Sequence, residues 1–289
     1  MQTNTCLRVN STLAALALLS LAGLGASACM AEDDGPIELA DLDLGAGIPE
    51  DALTGTARIL TPDGELEVGY DIVDGRAIVE GDIDLGPVEA LRAKTADHAN
   101  ASLLYDRWTG GKIKYIPPTF NQTAINGAIA AIEAATQLDF VPVTAPMLYE
   151  DVLFFTQSSD SGVSSSQVGR QGGWQQVKIW PTHGQSVVTH ELLHAAGLWH
   201  EQSRSDRNSH VIVNLVCVPP SRWHNFDIKA PLVGFPVGSF DFNSIMLYGS
   251  SAFSIFPGCN SMVRKSNGAT FSGNSSMSAG DVAAINAMF

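Results

Sequence analysis

The stretch Val187–Gln202, VVTHELLHAAGLWHEQ, gathers three of the chain's seven histidines and two glutamates into an otherwise apolar, small-residue run. On a helix, His190 and His194 share one face, separated by about 6 Å of rise. Glu191 projects roughly a quarter-turn away, while Val188, Leu192 and Ala195 lie on the opposite side and are placed to pack on a core. Gly197 suits the left-handed backbone that ends a helix, and such a turn brings His200 back toward the first two rings. Three imidazoles with a fourth position open make the donor set of a catalytic zinc, Zn²⁺ at one per chain, rather than of a closed structural site. Glu191 sits beside the ligands without being one. It is placed to act as general base, taking the proton of an attacking water and later passing it to a leaving amine. Hydrolysis of a peptide bond uses all of these parts. The competing readings are a helix with incidental histidines and a zinc site without catalysis; Glu191, and the lack of an evident fourth protein ligand, weigh against the second.

The charge is unevenly placed. The chain carries 30 acidic and 16 basic side chains, a net charge of −14. Residues 31–100 hold 18 acids against 4 bases, residues 101–289 hold 12 against 11, and Arg8 is the last base. The excess acid therefore belongs to one early segment. An acidic chain without a basic stripe argues against nucleic acid as a partner, because phosphate repulsion removes the main affinity term. At the N-terminus, Arg8 precedes the apolar run STLAALALLSLAGLGASA, which reads as a signal peptide over residues 1–29, with a membrane anchor as the alternative. Cys29 directly follows Ala26, Ser27 and Ala28, where a bacterial lipoprotein carries its lipid, so any membrane attachment depends on lipidation there. The expected destination is extracellular, or lipid-anchored to the cell envelope. Disulfides persist in such places, and Cys217 with Cys259 is the expected bridge.

Between these landmarks the patterning alternates. ELEVGYDIV and RAIVEGDIDL read as strands separated by Asp-Gly turns, and VEALRAKTADHANASLL as a helix running into a looser linker. From Trp108 a compact domain begins. RWTGGKIKYIPP, DFVPVT, VLFFT and QQVKIW read as strands, with SSDSGVSSSQVGRQGG as a polar loop. QTAINGAIAAIEAATQ sets Ile125, Ala128, Ile129 and Ile132 on one helix face. After the histidine helix the chain is mostly loop until the short helix GDVAAINAMF. The expected architecture is α+β, with two lobes meeting at a cleft.

These residues together resemble the metzincin zinc endopeptidases, and within that clan the astacin family, over roughly Leu104–Phe289. HELLHAAGLWHEQSRSDR is similar to the family's zinc motif, SIMLYG (Ser244–Gly249) to its Met-turn and tyrosine, RWTGGKIKYIPPTF to its opening strand, and NFDI to the stretch before the Met-turn. The resemblance implies a metzincin fold: an N-terminal lobe with a twisted mixed sheet and two long helices, an irregular C-terminal lobe, and a zinc cleft between them. It implies His190, His194 and His200 as zinc ligands and Glu191 as base. Met246 would form an apolar floor, and Tyr248 would be a resting-state ligand that swings away to stabilise the oxyanion. Glu201 would contact, through water, the N-terminus made on activation. VGRQGGWQQVKIW resembles the substrate-edge strand, and QQVKIW is either a strand that accepts an extended peptide or an ordinary sheet strand.

The same resemblance makes residues 30–100 an acidic propeptide and 101–289 the catalytic domain. Within the propeptide, VEGD (Val79–Asp82) resembles the family's F-x-G-D, with Val79 in place of the aromatic. Asp82 is then either a zinc-binding switch that keeps a zymogen silent or a plain turn aspartate. The implied partners are a protein or peptide substrate and an activating protease cutting between Arg92 and Leu104. Gln137 and Thr182 stand in regions where the family's cysteines are expected, so the usual bridges are absent. The alternative to a zymogen endopeptidase is a silent zinc- and peptide-binding lipoprotein on the same scaffold, from which Glu191 distinguishes it.

Overall fold

The apolar stripe of Ile125, Ala128, Ile129 and Ile132 becomes, with Ala124, the buried face of helix α2, Gln122–Ala135. It packs along α3, Gln185–Ala196, which carries the first two histidines and is buried on every side from Ser186 onward. Both helices lie on a sheet in the computed structural model, which describes residues 52–61, 64–96, 106–145, 148–159, 162–229 and 237–289. The signal peptide with Cys29, the early part of the acidic segment and most of the expected maturation region lie outside the described residues. No described helix is long and apolar enough to cross a membrane.

In residues 106–289, β5 (Lys112–Tyr115) pairs in parallel with both β6 (Asp139–Pro142) and β7 (Asp151–Gln157), and β7 pairs in parallel with β9 (Gly173–Ile179). The two-residue strand β8, Ser165–Ser166, runs antiparallel to β9. Parallel neighbours need a crossover, and α2 supplies the one between β5 and β6. Leu153, Val177 and Ile179 from the sheet join Ile125, Ile132, Val188, Leu192 and Leu193 from the helices in the main core.

The sheet continues past β8. Strand β4 (Ile83–Pro87) pairs with β8 in parallel, and β3 (Arg76–Val79), β2 (Gly64–Val73) and β1 (Thr54–Thr61) follow in antiparallel order. The result is nine strands in the order β1-β2-β3-β4-β8-β9-β7-β5-β6. Asp74 and Gly75 both take positive φ at the β2–β3 turn, the tight hairpin geometry that an Asp-Gly pair encodes. Helix α1, Val88–Ala96, follows β4.

The C-terminal lobe has little regular structure. It holds short 3-10 turns, the ribbon of β10 (Val211–Val213) with β11 (Met262–Arg264), and α4 (Ala279–Met288). Cys217 and Cys259 are bridged, with Cα atoms 5.3 Å apart.

Three expectations change. QQVKIW is not an edge: β9 is paired along its length with β7 and, at Val177 and Lys178, with β8 on its other side. Of the strands from residues 106–289, β8 lies outermost on that side, inside the run expected to be a loop, where serines give no alternating signal. RAIVEGDIDL is two strands rather than one, folded at Glu80–Asp82.

Candidate metal centre

Helix α3 ends at Gly197, whose φ of 130° a side chain would strain. The Leu198 N–H turns back to the Leu193 carbonyl at 2.9 Å, and the Gly169 N–H takes the His194 carbonyl at 2.9 Å, so the helix end is capped by its own turn and by the loop after β8. The Trp108 indole donates to the Ala195 carbonyl at 2.7 Å. This exit carries the chain back so that His200 faces His190 and His194, its Nε2 lying 3.1 Å from that of His190.

A carboxylate completes the group. Asp82 Oδ2 lies 3.2 Å from His190 Nε2 and 3.3 Å from His200 Nε2, and Oδ1 lies 3.6 Å from His194 Nε2. One donor atom from each of the four residues falls within 4.8 Å of all the others, and all four side chains are buried. Asp82 comes from the turn between β3 and β4, in the acidic segment.

The outer contacts fix each ring. His190 Nδ1 donates to the Ile245 carbonyl at 2.8 Å and His194 Nδ1 to the Leu198 carbonyl at 2.7 Å; His200 Nδ1 meets Glu80 Oε2 at 2.8 Å. With protons held on Nδ1, the neutral rings turn their Nε2 lone pairs to a common point. His194 Nε2 and Asp82 Oδ1 are buried there without hydrogen-bond partners, which a cation between them would satisfy. Burial opposes a proton on His200, yet the Asp82 and Glu80 carboxylates outweigh it and raise the ring to about 9. Burial alone leads at His194 and lowers it to about 4. The two carboxylates thus demand positive charge among these rings, and three imidazoles with one carboxylate have the donor chemistry and number of a single zinc ion.

Glu191 is buried beside the cluster, with Oε2 unpartnered. Burial first, and then the Asp82 charge, push its carboxyl well above the ordinary range. For Asp82, burial pulls upward but the His200 charge and the imidazole hydrogen bonds prevail and hold it well below. The two neighbouring carboxyls are thus pushed in opposite directions, Glu191 up and Asp82 down.

The remaining expected residues fall nearby. Met246 is buried in the main core with Leu192 and Leu193 of α3, and its carbonyl accepts the Glu201 N–H at 2.9 Å. Glu201 accepts from the Asp241 N–H at 2.7 Å and faces Arg204 at 3.1 Å; burial raises it to about 7. The Tyr248 hydroxyl donates to the Glu80 carbonyl oxygen. Two residues escaped the sequence reading. Glu80, fully buried, binds His200, Ser203 Oγ at 2.5 Å and Lys229 Nζ at 3.6 Å. Asp281 accepts from Ser244 Oγ at 2.6 Å and the Ile245 N–H at 3.0 Å while closing the capping box of α4 with Ser278, so it ties the last helix to the turn under the metal centre. The Ser-x-x-Asp spacing was a visible signal for Asp281; nothing local marked Glu80.

A sheet with two helices in one lobe, a loop-rich second lobe and a buried histidine triad at their junction define a metzincin-type zinc protein. Residues 100–289 match the model of the astacin peptidase family, and the chain belongs to that family. Flavastacin from Elizabethkingia meningoseptica is 33% identical over 195 residues, covering 66% of this chain and 41% of that protein. The astacin-like metalloendopeptidase of Mus musculus is 44% identical over 92 residues, 31% of this chain and 21% of that one. Among solved structures, high choriolytic enzyme 1, a hatching enzyme zinc-protease from Oryzias latipes (medaka fish), aligns at a TM-score of 0.56 and 30% identity, over 64% of this chain and 92% of that chain. The chain spans about two fifths or less of the length of these two curated relatives.

Proposed function

We propose that this chain is the latent precursor of an exported zinc endopeptidase that cleaves peptide bonds in proteins. The observation that carries this reading is the convergence of His190, His194, His200 and Asp82 on one buried point with Glu191 beside it. A zinc ion held by the three histidines supplies Lewis acidity, which acidifies water and polarises a peptide carbonyl.

The protein's own groups do the rest. In the latent state Asp82 fills the position a water would need, and its charge, after burial, opposes ionisation of Glu191. Withdrawing Asp82 removes that like charge and admits solvent, which favours the ionised Glu191 that can take a proton from water. The same carboxyl then returns the proton to the leaving amine. Tyr248, released from the Glu80 carbonyl, is free to donate its hydroxyl to a developing oxyanion. Strand β4 lies along β8, with the Ser166 N–H donating to the Asp82 carbonyl at 3.0 Å. Once β4 leaves, β8 offers that edge to an extended substrate. Glu201, now held by Arg204 and the Asp241 N–H, is the group assigned to the new N-terminus.

Relatives named as proteinases give the silent-binder alternative no support. Secretion, an activating protease, and lipidation at Cys29 belong to the same proposal and rest on the sequence. Incubating the processed protein with a mixed peptide library, zinc content measured in parallel, tests the activity. One zinc per chain with no cleavage by the processed form, once residues 52–96 have been separated from it, would reject it.

A further inference from the structure

The latency proposed above uses one residue of the early segment, Asp82, yet strands β1–β4 are built as a packed body in their own right. Residues 52–96 lie outside the span that matches the family. Ala57, Val68, Tyr70, Ala77, Val79, Ile83, Leu85, Val88 and Leu91 form one apolar cluster, to which the catalytic part adds Val168 and Trp199. Strands β2, β3 and β4 are joined by tight turns, and α1 folds back on β1 and β4.

Toward the catalytic part this body sets three carboxylates, Asp71, Glu80 and Asp82, none more than 1% exposed. Asp71 pairs with Arg222 and takes the Asn225 Nδ2 at 3.4 Å. Glu80 sits among His200, Ser203 and Lys229, its N–H donates to Asn225 Oδ1 at 2.8 Å, and its carbonyl takes Tyr248. Val73 and Ile78 enter a second apolar cluster with Val218, Phe226, Leu247 and Tyr248. At Gly69 the two parts touch so closely that a Cβ would lie 2.6 Å from His224 Cβ. None of these contacts depends on the peptide link between residues 96 and 106.

We propose that residues 52–96 are a non-covalent inhibitor that stays docked after the link is cut, so that cleavage and activation are separate steps. Glu80 and Asp71, more than the metal-facing Asp82 alone, set the time to release. Each is paired with a cation buried in the docked state, Arg222 for Asp71 and Lys229 for Glu80, and separating buried charge partners slows dissociation rather than association. The inference rests on the latent-peptidase reading, but its main readout does not require activity.

The test uses the full chain, zinc-loaded, with a specific protease site placed between residues 97 and 105. After nicking, native size-exclusion chromatography follows the two fragments and the fractions are assayed on peptide. The fragments should co-elute one to one and stay latent. Glu80→Gln and Asp71→Asn should each speed fragment release at least tenfold, and Asp71→Asn carries the test if Glu80→Gln does not fold. Separation of the wild-type fragments on the column overturns the proposal, as does release unchanged in both variants. A catalytic fragment that separates under denaturant, refolds with zinc and cuts nothing counts against the peptidase reading while leaving fragment retention intact.

Discussion

Residues 52–96 and 106–289 share one sheet but are assembled from different contacts. In the first, antiparallel strands meet their sequence neighbours through short turns such as Asp74–Gly75. In the second, parallel strands are brought together by crossovers and by helices packed across them. The first belongs to the segment holding the excess acid, the second is nearly neutral. Where they meet, Asp71, Glu80 and Asp82 are buried opposite imidazole, lysine and arginine. The difference teaches that the acidic segment meets the rest of the chain through three placed carboxylates rather than through its overall charge.

That division can be broken by experiment. The largest effect should come from residues 106–289: Glu191→Gln is expected to lower peptidase activity of the processed protein freed of residues 52–96 by about 10²–10⁴-fold with zinc content unchanged, and retained activity would remove Glu191 from the mechanism. From the other side, Asp82→Asn in the uncut chain should raise residual activity by about 10²–10³-fold, since removing one member of a buried charged cluster costs about 3–5 kcal/mol. A fully latent variant would reduce Asp82 to a turn residue. Stability should divide the same way. Ile132→Ala and Ile83→Ala each delete a fully buried side chain, at about 2–5 kcal/mol. Hydrogen exchange should spread over residues 106–289 in the first and stay within 52–96 in the second; equal loss in both would mean the two regions unfold as one.

The smallest effect is a pH slope on the catalytic side. His183 is buried against Ser164, 2.6 Å from its hydroxyl, and burial lowers it to about 4. The unfolded chain binds a proton there below about pH 6.5 while the folded chain does not. Stability should therefore fall as pH drops from about 6.5 to about 4, by up to about 3 kcal/mol, and level off below. His183→Gln should flatten that part of a denaturant-midpoint profile, and an unchanged slope would place the titrating group elsewhere.

What could be read from the sequence was whatever repeats at short range. The helix of Ile125 and Ile132 follows from its periodicity, the histidine helix from ligand spacing on one face, and the Asp74–Gly75 hairpin from its turn pair. Strand β8 was hidden because two serines carry no period. Glu80 was hidden for a different reason: its partners His200, Ser203, Asn225 and Tyr248 lie 120, 123, 145 and 168 positions away, and nothing near Glu80 indicates them. Asp82 was legible only through a resemblance, with a turn aspartate as the standing rival.

The backbone at Gly197 links two properties that proteins usually adjust apart. Where the helix stops and how firmly the third imidazole reaches its companions are governed by one torsion, at a φ of 130°. Any residue bearing a β-carbon there would unwind or lengthen the helix and, in the same movement, loosen the grip on the ion. Variation along this lineage is therefore expected to spare that position even where the neighbouring leucines and alanines drift.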